Sequence, residues 1–255
     1  MSRVIVITGA SEGIGAALAK RQGAKGDAIV LAARRQDKLE AIAKECGGRT
    51  LSVATDVTKR AQVDELRDAA LERFGQIDVW VNNAGRGIGI RVMDFTEENL
   101  DEMLAVNLKS AWYGMRAIIP HFQARRQGHL INISSVLARV PLVTPRSAYS
   151  ASKAALNALT ANLRMDLRTE YPNIHISLVS PGPVSTEFHN NALGGTPTAR
   201  GMEMQTADQV VDVIERIIDN PVPEIYTNPA SASLVQRYYQ DVCAFEDELL
   251  ARAKN

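Results

Sequence analysis

Val4-Ile5-Val6-Ile7-Thr8-Gly9-Ala10-Ser11-Glu12-Gly13-Ile14-Gly15-Ala16-Ala17-Leu18-Ala19-Lys20 decides the fold. Its first four residues form a β-branched run of the kind shown by a strand buried on both faces. Its last residues read as a helix, and glycines fill the turn between. Glycine lets the backbone approach a pyrophosphate, and a helix N-terminus adds free N–H groups and a positive dipole end. Glycines also serve ordinary tight turns. Their place at the first strand-to-helix turn favours nucleotide binding.

The alternation continues along the chain. Ala28–Ala33, Leu51–Thr55, Asp78–Val81, His129–Ile133, His175–Val179 and Glu224–Thr227 read as further strands. Helices are predicted over Gln36–Cys46, Thr58–Phe74 with Thr58 as N-cap, Glu97–Gln123, the run around Tyr149, and Val210–Ile218. Strands alternating with helices imply an α/β, doubly wound parallel sheet covered on both faces. No linker or fixed-period repeat interrupts the chain, so one domain over residues 1–255 is expected, with a core at 3–228. Ligands of such sheets sit outside the carboxyl ends of the strands. Small and polar residues gather there: Gly9, Arg34, Asp56-Val57, Asn82-Asn83-Ala84-Gly85, Ser134-Ser135 and Pro181-Gly182. Turn chemistry accounts for the glycines and prolines, but not for the asparagine pair or Ser135.

With 45% hydrophobic and 23% charged residues and zero net charge, nothing favours a polyanionic partner such as nucleic acid. Cys46 and Cys243 are too far apart in sequence for metal-type spacing, and the histidines are scattered, so no metal is expected. No apolar run approaches the ~18 residues of a membrane span. A cytoplasmic location is the expectation.

Tyr149-Ser150-Ala151-Ser152-Lys153 carries the chemistry. Residues four apart on a helix share a face, so the phenol and the ammonium can share one environment. A free phenol has a pKa near ~10. An ammonium roughly 5 Å away, at an effective dielectric of about 20, is expected to lower it by roughly 2–3 units, making a general acid/base near neutral pH. Such a pair is also commonplace on amphipathic helices, so the surrounding motifs decide.

Thr8-Gly9-x-x-x-Gly13-x-Gly15, Asn82-Asn83-Ala84-Gly85, Ser135, Tyr149-x-x-x-Lys153 and Pro181-Gly182 together resemble the short-chain dehydrogenase/reductase family, over residues 3 to about 228. The resemblance implies a Rossmann-type, seven-stranded, mostly parallel sheet and NAD(P)-dependent interconversion of an alcohol and a carbonyl. By position, Tyr149 is the implied acid/base, Lys153 its helper on the nicotinamide ribose, Ser135 the donor to the substrate oxygen, and Asn107 the holder of a relay water. Gly9, Ser11, Gly13, Ile14 and Gly15 are implied at the pyrophosphate, and Asp56 and Val57 at the adenine. Asn83, Ala84 and Gly85 are implied at the adenosine ribose, and Pro181, Gly182, Val184 and Thr186 at the nicotinamide. Ser134 competes with Ser135; the latter lies nearer the family spacing, from which this chain departs by one extra residue within 138–146. Hydride arrival at a carbonyl makes an oxyanion, so hydroxyl donors aimed at that oxygen suit the chemistry.

NAD sites of this fold place a carboxylate at the end of the second strand. Ala33 stands there, followed by Arg34 and Arg35, whose forks attract a 2′-phosphate. NADP(H) is therefore expected ahead of NAD(H). Glu12 argues the other way, since it can pair with Arg34 or Arg35.

Segments 86–95, 136–146 and 185–200 are expected to bound a mainly apolar substrate pocket, with Ile88, Val136, Leu137, Leu142, Val143 and Phe188 as its wall. Arg86, Arg139 or Arg146 could meet an anionic group there, but arginines in loops are more often solvated. Residues 187–205 read as a loop, and about 231–253 as an acid-rich helix packed on its own domain or on a second subunit. The resemblance also implies a homodimer or homotetramer. The rival reading is a nucleotide sensor on the same fold, a class that often lacks the Tyr or the Lys. An epimerase of the larger relatives would need a longer C-terminal domain.

Overall fold

The computed structural model describes residues 2–188, 190–195 and 204–253. Its first half runs β1 (Val4–Thr8), α1 (Gly13–Ala24), β2 (Ala28–Ala33), α2 (Gln36–Cys46), β3 (Thr50–Ala54), α3 (Arg60–Phe74) and β4 (Val79–Asn82). The second half runs α4 (Glu97–Leu104), α5 (Ser110–Arg125), β5 (Gly128–Ile133), α6 (Ser147–Arg168), β6 (Ile174–Ser180), α7 (Ala207–Asp219), β7 (Glu224–Tyr226), α8 (Ala230–Gln240) and α9 (Val242–Ala253). The seven strands form one parallel sheet in the order β3-β2-β1-β4-β5-β6-β7. This is the doubly wound Rossmann-type architecture expected.

Side chains alternate across a strand, so each β1 residue chooses a layer by its parity. Val4 and Val6 join Trp80, Leu66, Phe122 and Leu156 on the face covered by α3, α5 and α6. Ile5 and Ile7 join Leu18, Leu31, Val81 and Ile214 on the face covered by α1, α2 and α7. All are essentially buried. Burying each such side chain contributes roughly 1.5–3 kcal/mol, which fixes the register of the central strands.

Three expected elements differ. The helix over 97–123 is two α-helices joined by a π-turn at Ala105–Lys109. Thr58 does not cap α3: both its hydroxyl and its N–H bond Asp56 Oδ1, at 2.7 and 3.0 Å, and Lys59 takes the capping position. The tail is a helical pair, broken where Asp241 turns extended; its carboxylate accepts from Ala244 N at 2.9 Å and starts α9. Of the loop expected at 187–205, His189 and residues 196–203, with Pro197 and Gly201, lie outside the described residues.

Candidate active site

β1 lies between β2 and β4, so successive connections diverge there and leave a crevice at the carboxyl ends. A groove of about 900 Å³ follows that edge. Its floor is the glycine turn. Gly9 has φ +66° and Gly13 φ +57°, left-handed values that favour glycine. A Cβ on Gly9 would lie 2.9 Å from Ala84 Cα. One on Gly15 would overlap the Gly9 carbonyl oxygen and lie 2.6 Å from Asn83 Nδ2. The glycines thus let α1, β1 and the strand-4 end converge. Glu12, the N-cap residue of α1, makes no side-chain cap bond, so the helix presents N–H groups without a side-chain acceptor, the arrangement an anion uses. A glycine cradle with no room for a Cβ, beside such a helix end, fits a dinucleotide pyrophosphate.

Gly9, Ser11, Gly13 and Ile14 line the groove, whereas Gly15 is buried beneath it and serves helix-to-turn packing. Thr8 and Asn83 lock this end. Thr8 Oγ1 accepts from the N–H groups of Asn83 (3.0 Å) and Ala84 (3.2 Å), and Asn83 Nδ2 donates to the Thr8 (2.9 Å) and Gly9 (3.1 Å) carbonyls. The Asn83 side chain therefore braces the turn, and Ala84 and Gly85 line the groove beside it.

At the far end the lining includes Ala33, Arg34, Arg35, Asp56 and Val57. Arg35 Nη2 donates to Glu12 Oε2 at 2.7 Å, while Asn191 Nδ2 donates to Glu12 Oε1 at 2.9 Å. Glu12 pairs with Arg35, one of the two partners the sequence left open. Burial pushes the Asp56 carboxyl up, but the Thr58 hydrogen bonds, Arg34 and Lys59 outweigh it and leave it below the usual carboxylate range.

At the other end Tyr149 stands in the first turn of α6, buried and facing the groove. Ser134 Oγ donates to Asn157 Oδ1 at 2.5 Å and is committed to α6. Ser135 Oγ accepts from Leu137 N at 3.1 Å and sits against the Tyr149 phenol. Lys153 lies 5.9 Å from the Tyr149 ring centroid, with Nζ donating to the Ile133 carbonyl at 2.8 Å. The expected depression of the phenol is not met in the chain alone. Burial pushes Tyr149 up, against the pull of Ser135 and Arg146, and burial pushes Lys153 down to about 8. The ammonium is turned to a carbonyl, and a low-polarity surround penalises both charged forms.

Asn107 lies in the π-turn, a device frequent at functional sites. It does not line the groove: Oδ1 accepts from Arg86 N at 2.9 Å and Nδ2 donates to Arg86 O at 3.0 Å. It clamps the backbone just past Gly85. A Cβ on Gly85 would lie 3.1 Å from Asn107 Oδ1 and 3.6 Å from Lys153 Nζ, so these three meet closely. Pro181, Val184 and Thr186 line the groove; Gly182 lies outside it.

A family model described as short chain dehydrogenase matches residues 3–195. The chain belongs to the short-chain dehydrogenase family. An uncharacterized oxidoreductase of Listeria innocua is 34% identical over 229 residues, spanning 86% of this chain and 92% of that one. Among solved structures, a short-chain dehydrogenase/reductase from Burkholderia phymatum in complex with NAD matches with TM-score 0.86 and 28% identity over 94% of each chain. An alcohol dehydrogenase from Thermococcus sibiricus complexed with 5-hydroxy-NADP matches with TM-score 0.78 and 31% identity, covering 89% of this chain and 96% of that one. This short-chain dehydrogenase is thus an oxidoreductase whose solved relatives hold either nicotinamide cofactor.

Its apolar wall is only partly the expected one. Ile88, Leu137, Phe188 and Leu193 pack around Tyr149, with Met103 from α4. Val136 and Leu142 instead join a cluster with Val140, Val235 and Phe245, so the α8–α9 pair packs on its own chain. Arg86 pairs with Glu102 and reaches the Asn191 carbonyl at 3.2 Å; Arg139 pairs with Glu224 at 2.7 Å. Arg146, read as solvated, is 3% exposed. Asn191 and Glu102, both in the groove lining, were not singled out from sequence, since neither stands in a motif or at a strand end. No described helix is long and apolar enough to cross a membrane.

Proposed function

We propose that this protein is an NADP(H)-dependent oxidoreductase moving a hydride between nicotinamide and a carbonyl or secondary-alcohol substrate, with Tyr149 as general acid/base. The observation that carries this reading is the meeting of Tyr149 and Ser135 in one groove with the glycine cradle. When bound, the nicotinamide cofactor supplies or accepts the hydride. Tyr149 gives its proton to the substrate oxygen in reduction and takes it back in oxidation, and Ser135 donates a hydrogen bond where charge develops. Lys153 carries a proton at neutral pH and is within one helical turn of the phenol. Asn107 holds the Arg86 backbone and so the shape of the groove beside Gly85.

The preference for NADP(H) rests on Arg34 and Arg35 in the lining and on Ala33 where an NAD site carries a carboxylate. The hydrophobic surround of Tyr149 favours an uncharged, fairly apolar ketone or aldehyde. By family likeness the enzyme is a homodimer or homotetramer, and the two lone cysteines favour a reducing, cytoplasmic setting.

The test is NADPH consumption against a structured library of ketones, aldehydes and sugars. Tyr149→Phe should abolish turnover while sparing NADPH binding, and a fully active variant rejects the mechanism. Higher catalytic efficiency with NADH than with NADPH rejects the cofactor choice. NADPH binding without reduction of any library member favours a nucleotide sensor.

A further inference from the structure

We propose that Arg146 is a positioning residue for Tyr149, its guanidinium placed to stabilise the phenolate; the inference rests on Tyr149 as the acid/base. Arg146 is the N-cap residue of α6, one turn before the phenol, and is 3% exposed. Its Cζ lies 5.8 Å from the Phe188 ring centroid, and the Phe188 ring meets the Tyr149 ring edge-on at 5.6 Å. Phe188 therefore lies against both the guanidinium and the phenol ring.

The backbone is shaped around that guanidinium. A Cβ on Gly87 would overlap Arg146 Nη1 and come within 3.1 Å of Phe188 Cε1, so the missing side chain leaves the room the guanidinium fills. The guanidinium belongs to the residue that opens α6 and is held out of water. A cation at a helix N-terminus opposes the dipole, and burial adds a desolvation cost. Both penalties shrink when negative charge forms on Tyr149.

The charged groups around the phenol are few among the described residues. Lys153 is directed at the Ile133 carbonyl, and Ser135 contributes a neutral hydroxyl. Arg86 and Glu102, in the same groove, form an ion pair with no net charge. Ile88, Met103, Leu137 and Leu193 are apolar. Consistent with this geometry, burial pushes Tyr149 up and Arg146 down, and each draws the other back toward its charged form.

The experiment is a pH titration of phenolate absorbance, each protein minus its own Tyr149→Phe counterpart, with and without NADP⁺. Arg146→Gln should raise the Tyr149 midpoint by about one unit, a roughly tenfold loss of phenolate at fixed pH. Arg146→Lys, which keeps the charge, should restore at least half of that shift. Gly87→Ala should also raise the midpoint, because it displaces the guanidinium without removing its charge. Should Arg146→Gln not fold, Gly87→Ala carries the test. An unmoved midpoint in the folded variants overturns the inference. Turnover separates the two failures: an active Tyr149→Phe removes the acid/base reading, whereas an inactive one with an unmoved midpoint removes only the role of Arg146.

Discussion

Replacing Lys153 with Met should alter stability in a way that changes with pH. The folded lysine has a pKa of about 8 against 10.5 for the free side chain. Below both values the ammonium is present in both states, and burial makes it costly only in the folded one. At pH 7 that cost is about 3 kcal/mol, since each unit is worth about 1.4 kcal/mol. The folded state binds fewer protons than the unfolded chain in this window, so wild-type stability rises with pH. Methionine removes the desolvation cost but strands the Ile133 carbonyl, now bonded to Nζ at 2.8 Å, at a penalty of about 1–3 kcal/mol. At pH 7 the variant should therefore match the wild type or exceed it by up to about 2 kcal/mol, while losing turnover. By about pH 9.5 the lysine cost should have fallen by about 2 kcal/mol, and the difference should move against methionine by that amount. Staying below pH ~10 avoids ionising Tyr149. Urea unfolding at the two pH values reads the result. A difference that does not change with pH refutes the reasoning.

Gly15→Ala drives a methyl into the Gly9 carbonyl and to 2.6 Å from Asn83 Nδ2, where backbone cannot give way. Overpacking of about 1–3 kcal/mol should lower Tm by roughly 2–10 °C, measured by calorimetry with and without NADPH; an unchanged Tm contradicts the close approach. Glu12→Gln breaks the 2.7 Å pair with Arg35, whose side chain is 48% exposed, so stability should change by less than about 1 kcal/mol. Titration calorimetry should find NADPH binding roughly 2–5-fold tighter, with NADH nearly unaffected, because a freed guanidinium meets a 2′-phosphate. Weaker NADPH binding would reverse the role given to Glu12.

The parts legible in the sequence are those whose signal is local. Parity along Val4–Ile7 and glycines after a strand announce a buried central strand and its turn, and the chain obeys them. The competition between Ser134 and Ser135 followed spacing, and the structure separates them by partner: Asn157 for one, the phenol for the other. What escaped depends on contacts distant in sequence. The tail pattern Leu234, Tyr238, Val242, Phe245 and Leu249 runs on across the break, and only Asp241, a good N-cap residue, marked it. The π-turn leaves no mark in composition. Arg146 read as solvated because its burial is made by Phe188 and Gly87, which no local pattern ties to it. The direction of the Tyr149 shift was missed for the same reason. Helix geometry gives the Lys153 distance, but not the Ile133 carbonyl that engages the ammonium or the dryness of the surround.

The α8–α9 pair has a mechanical corollary. Val235 and Phe245 lean on Val136 and Val140, immediately after Ser135, so the α8–α9 pair backs the segment that carries Ser135 without lining the groove itself. Repacking of that support reaches the site only through residues 136–140, while the glycine turn at the other end, built on β1 and α1, lies outside its contacts.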